Sequence, residues 1–123
     1  MRDHLTPTGT VILNAGRTDS DYRLVDALAQ TMHAVFPNVY LIDTARFTNT
    51  MIIGTNARTS PGNFQINFDS LSNSLLAQVA TNSIQFGKIR EVQGSTVFFT
   101  DDRAPVEQLI DQIILGAVQN QGR

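Results

Sequence analysis

Two apolar runs, Val39–Ile42 and Met51–Gly54, are joined by a stretch too short to hold a crossover helix. Strands joined that way have to pair antiparallel, because a parallel pair needs a connection of a dozen residues or more. An earlier run, Thr10-Val11-Ile12-Leu13, is compact and apolar without alternation, which suits a strand covered on both faces, as in a parallel sheet. Asn14 to Ser20 reads as a loop in which Asp19 or Ser20 can cap the next helix. From Asp21 to Phe36, Leu24, Val25, Leu28, Met32 and Val35 fall at helical spacing. Arg23, Asp26, Gln30 and His33 lie on the other face, and Pro37 ends the segment. The expected order is therefore strand, helix, strand, antiparallel strand.

The flanking segments are shorter and more polar. Met1 to Leu5 is too short to nucleate a helix by itself, and Thr6-Pro7-Thr8-Gly9 forms a turn. Ala57 to Gln65 reads as a loop with a turn at Pro61-Gly62. Phe68, Leu71, Leu75, Leu76 and Val79 trace the buried stripe of a further helix. Ile89–Val92 and Thr96–Phe99, around Gln93-Gly94, predict a short hairpin. Pro105 fits the first turn of a last helix, with Val106, Leu109, Ile110, Ile113, Ile114 and Ala117 on its apolar face. A frayed tail from Gln119 to Arg123 follows.

Composition narrows the chemistry. The 123 residues suggest one domain spanning the whole chain, and a chain of that size buries roughly two-thirds of its unfolded surface. With 41% apolar and 16% charged residues it reads as an ordinary globular protein. The absence of Cys excludes a disulfide scaffold, a thiolate metal site and a Cys nucleophile. Net charge is −2 with no basic patch, so no nucleic-acid partner is expected. No apolar run approaches a membrane span and Met1–Leu5 lacks a signal-peptide core, so a cytoplasmic location is the default expectation.

Three stretches resemble the C-terminal half of the bacterial spermidine synthase-like proteins, the aminopropyltransferase family. They are Arg2–Arg17 (Arg-Asp-His-Leu-Thr-Pro-Thr-Gly-Thr-Val-Ile-Leu-Asn-Ala-Gly-Arg), Asn38–Thr44 (Asn-Val-Tyr-Leu-Ile-Asp-Thr) leading into the Met51–Asn56 strand, and Thr100–Glu107 (Thr-Asp-Asp-Arg-Ala-Pro-Val-Glu). The last is the most specific, and residues 57–98 match in outline only. The resemblance implies an α/β fold: the C-terminal half of a Rossmann-like S-adenosylmethionine-dependent-transferase fold. It comprises a mixed sheet with an antiparallel last strand, a small hairpin and a C-terminal helix. It also implies a fragment of a larger enzyme, in which decarboxylated S-adenosylmethionine donates an aminopropyl group to a diamine. The family's glycine-rich donor loop and catalytic carboxylate lie upstream of the matched region, so no catalytic residue and no cofactor are assigned to this chain. Its partner would be the missing N-terminal half, with a polyamine-type molecule bound in the parent. Asn14 stands where the family often has Gln. Asp43-Thr44-Ala45-Arg46 stands near its Pro-x-Tyr-Pro segment without the prolines or the Tyr. The parent is then a spermidine synthase-like protein with another acceptor, or one without aminopropyl transfer.

The candidate site residues follow. Asn14, Gly16 and Arg17 sit past the carboxyl end of a strand, where open α/β sheets bind ligands, or else form an ordinary strand-to-helix loop. Thr44 joins them through the family match. Asp101 and Asp102, with Thr100, Pro105 and Glu107, form a structural motif in which a carboxylate caps the last helix or contacts a cation or substrate. Arg17 and Arg46 read as free surface arginines and His33 as solvated. No metal-ligand spacing is present. With a neighbouring strand missing, the Thr10–Asn14 edge is expected to be open and to recruit a second copy, giving a homodimer or larger oligomer. The alternatives to an enzyme fragment are a non-catalytic interaction or oligomerisation module and a methyltransferase remnant. The remnant leaves the Thr100–Glu107 pattern unexplained.

Overall fold

The computed structural model describes residues 2–44, 48–85, 88–92 and 106–121. A single 3-10 turn, Arg2–His4, leads to a tight turn in which the Gly9 N–H donates to Thr6 O at 2.9 Å. Strand β1 (Thr10–Gly16), helix α1 (Arg23–His33), strand β2 (Asn38–Asp43) and strand β3 (Asn49–Thr55) then follow. Helices α2 (Pro61–Phe68) and α3 (Ser74–Gln85), strand β4 (Ile89–Glu91) and helix α4 (Val106–Gln121) complete the chain.

The sheet order is β1-β3-β2-β4. The short β2–β3 connection produces the antiparallel pair it demands, with Leu41 opposite Ile52. β3 also pairs antiparallel with β1, with Leu13 opposite Ile52. β1 and β2 therefore run parallel to each other on either side of β3, with α1 as the link between them. β4 adds antiparallel to β2. Every hydrogen-bonded strand pair among the described residues is antiparallel, so the mixed sheet expected from the sequence is not formed there.

Strand periodicity sends alternate residues to opposite faces. One face carries Ala15, Val39, Leu41 and Ile52, with Val11 and Leu13 half-buried beside them. It packs against Val25, Ala29 and Met32 of α1 and against Phe36. Gly54 permits this approach: a Cβ there would lie 2.6 Å from Met32 Sδ and 2.7 Å from Phe36 Cδ2. The opposite face aligns Ile12, Ile53 and Tyr40 in one row. The 57–59 segment is tied to this side: Asn38 Nδ2 donates to Ala57 O at 2.8 Å and the Tyr40 hydroxyl to Thr59 O at 2.7 Å. Burial, and secondarily the Glu91 charge, raises the Tyr40 pKa and keeps that hydroxyl a donor.

Several expectations are corrected. β1 is not covered on both faces. Its residues alternate and Ile12 is 56% exposed, because α1 covers one side only. α1 starts at Arg23, and neither Asp19 nor Ser20 caps it. Thr18 Oγ1 accepts from the Asp21 N–H at 2.9 Å and Asp21 Oδ1 from the Arg23 N–H at 3.1 Å, which stiffens the turn entering the helix. The helix stops at His33, leaving Val35 exposed and Phe36 buried. Pro61-Gly62 is no turn but the start of α2, where proline's missing N–H costs nothing. The stripe from Phe68 to Val79 is split between α2 and α3. Leu71, Leu75, Leu76 and Val79 are all exposed, and α3 buries only Ala80. The apolar face of α4 is likewise half used: Ile113 is buried while Ile110 and Ile114 are exposed. The second hairpin strand, Thr96–Phe99, lies outside the described residues. Among the described residues no helix is long and apolar enough to cross a membrane.

Candidate functional site

The carboxyl ends of β1 and β2 and the start of β3 meet at one end of the sheet. Arg17 follows β1 directly, and its backbone N–H donates to Thr48 O at 2.9 Å. Its side chain turns back across the strand ends. Nε donates to Thr50 Oγ1, Nη1 to Thr18 O and Nη2 to Thr44 O, each at 3.2 Å. Thr50 is fully buried, and its hydroxyl donates to Asp43 Oδ1 at 2.6 Å. Arg90 Nη2 reaches the same carboxylate oxygen at 3.3 Å from β4. Thr44 Oγ1 lies 2.6 Å from Asn49 Oδ1, and Asn49 Nδ2 donates to Asn14 Oδ1 at 2.7 Å. A continuous polar network therefore runs across all four strands.

Tyr22, just ahead of α1, is the aromatic wall of this end. The guanidinium carbon of Arg17 lies 4.8 Å from its ring centroid and that of Arg90 lies 5.5 Å away, both within cation–π range. The network buries the Asp43 carboxylate with two donors, as a buried charge requires. Beside it, Asp21 pairs with Arg23 at 2.7 Å. The Arg23 guanidinium holds the Asp21 carboxyl below its usual range, so this exposed pair persists into mild acid.

Three of the residues singled out from sequence, Asn14, Arg17 and Thr44, are thus brought together. Gly16 shares the strand end without a spatial need for glycine, since a Cβ there would meet nothing within 4 Å. Arg17 is no free surface arginine, because its guanidinium is bound on three sides. Arg46, Thr100, Asp101, Asp102 and Pro105 lie outside the described residues, while Glu107 is exposed in the first turn of α4. Sequence reasoning missed Tyr22, Asp43, Thr50 and Arg90. The available signal was Asp43, a carboxylate closing an otherwise apolar strand.

An open cleft of about 440 Å³ adjoins the network, between the start of α1 and the ends of β2 and β4. A second groove, of about 340 Å³, is apolar and runs between Gly16–Thr18, Leu24 and the Ile110, Ile113 and Ile114 side of α4. No group of three or more His, Asp or Glu among the described residues is placed to hold a metal ion. No family model, no curated protein and no solved structure matches the chain.

Replacing Arg17 with Met removes the three bonds its guanidinium donates, to Thr50 Oγ1, Thr18 O and Thr44 O. Stability is expected to fall by about 1–3 kcal/mol. Urea unfolding should show a lower midpoint at unchanged slope.

Proposed function

We propose that this chain is the C-terminal part of a spermidine synthase-like aminopropyltransferase and is inactive by itself. The observation that carries the reading is the strand arrangement: β3 lies antiparallel between two mutually parallel strands joined through α1. That is the closing arrangement of the S-adenosylmethionine-dependent transferase sheet, and it accompanies the Thr100–Glu107 pattern. In this reading β1 is the strand against which the rest of the parent's sheet is laid. The network at the strand ends then forms one wall of the parent's site, on the ligand side of an α/β sheet.

The reaction is displacement at carbon. An amine nitrogen attacks the aminopropyl carbon next to the sulfonium, and the new C–N bond forms as the C–S bond breaks. The C–S electron pair stays on sulfur and methylthioadenosine leaves. A carboxylate of the upstream half takes the proton lost by the amine. This chain contributes rigidity and one wall of the acceptor site.

A second reading, a non-catalytic interaction module, draws support from Arg17, whose side chain is wholly engaged in holding the strand ends together. The two separate in one assay. Extended by the N-terminal half that the transferase reading requires, the protein should release methylthioadenosine from decarboxylated S-adenosylmethionine when an amine is present. No release from the extended protein with any amine would overturn the transferase reading.

A further inference from the structure

The open cleft beside the network is lined by Asp19, Tyr22, Asp26, Asp43, Lys88 and Arg90. Asp43 and Arg90 are paired with each other. Asp19, Asp26 and Lys88 form no ion pair among the described residues. The charges are also sorted by element. The unpaired carboxylates come from the approach to α1 and its first turn, and the cations come from Lys88 and Arg90 at β4. The α1 side of the cleft carries Asp19 and Asp26, and the β4 side carries Lys88 beside the Asp43–Arg90 pair, with the Arg90 guanidinium 5.5 Å from the Tyr22 ring centroid.

We propose that this cleft binds a small zwitterionic amine of the amino-acid class, its ammonium toward Asp19 and Asp26 and its carboxylate toward Lys88 and Arg90. A bare diamine would bring its second ammonium against Lys88, and a dicarboxylate would bring its second carboxylate against Asp19 and Asp26. Like charges that close are unfavourable, and opposite ones attract even in a solvated cleft. A cleft open to solvent gives weak binding, so selectivity between charge types is the property to measure. The inference rests on the transferase reading only in making this molecule the acceptor. Binding itself belongs to the chain alone.

The test is an NMR titration of the isolated chain with 4-aminobutyrate, putrescine and glutarate at matched ionic strength. Saturable shifts at the amides of Tyr22, Asp26, Lys88 and Arg90 are expected with 4-aminobutyrate. Putrescine and glutarate should bind about tenfold more weakly or worse. Asp26→Asn and Lys88→Gln, both at exposed positions, should each weaken 4-aminobutyrate binding several-fold with the fold unchanged by circular dichroism. Putrescine or glutarate binding as tightly as 4-aminobutyrate would overturn the proposal, as would the absence of saturable binding or binding insensitive to both substitutions. Methylthioadenosine release by the extended protein is a separate readout, so failure of one test leaves the other standing.

Discussion

Replacing Ile52 with Ala should lower the unfolding free energy by about 2–5 kcal/mol, a large part of what a domain of this size possesses. Ile52 is fully buried on the central strand and faces Leu13 on one side and Leu41 on the other. It also lies in the cluster that receives α1. Removing its side chain leaves a cavity where three elements meet, and a hydrogen-bonded sheet collapses poorly into such a space. Gly54→Val, two residues on, should damage the fold by the opposite route. Even the first added carbon would lie within 2.7 Å of Phe36 Cδ2, so α1 must lift from the sheet. Overpacking of that kind costs about 1–3 kcal/mol or more. Thermal unfolding followed at far-ultraviolet wavelengths reads both. Midpoints within a degree or two of the parent chain would contradict the packing described here.

The second large effect is association. Among the described residues β1 pairs with β3 alone, so its other edge is open. Thr10–Gly16 has no charge, no proline and no bulge, the usual protections of an edge strand, and Ile12 is exposed on it. The chain studied by itself is therefore expected to self-associate as concentration rises, with light scattering giving the mass of two or more copies. An Ile12→Lys substitution, which adds a charge on the solvent side of the strand, should return it to a monomer with little change in stability. A monomer throughout for the original sequence would contradict the role given to this edge.

How far the sequence could be read depended on how local the determining physics was. The β2–β3 pairing was legible because a connection of that length admits one solution, and α1 was legible because its spacing is dictated by a single buried face. β1 was harder. An unbroken apolar run looks the same whether two faces are covered or one, and only the position at the sheet edge decides between them. The region from Pro61 to Gln85 failed for a different reason. Its leucines are apolar without being buried, so periodicity described a stripe that stays largely exposed among the described residues.

The site divides in the same way. Asn14 and Arg17 could be chosen because they lie at the carboxyl end of a strand, where such sheets bind ligands, and Thr44 through the family resemblance. The function of Arg17 as a tie could not be read. Its acceptors, Thr18 O, Thr44 O and Thr50 Oγ1, come together only once β3 is inserted beside β1. Thr50 and Arg90 escaped for the same cause, since each matters only through Asp43.

In the proposed transferase reading, this chain carries one wall of the site and none of the donor pocket. Calorimetric titration of the chain alone with decarboxylated S-adenosylmethionine, and separately with methylthioadenosine, tests it most directly. No saturable heat is expected with either. Saturable binding of either at one site per chain or per dimer would contradict that reading, because these residues would then build a complete nucleoside pocket by themselves.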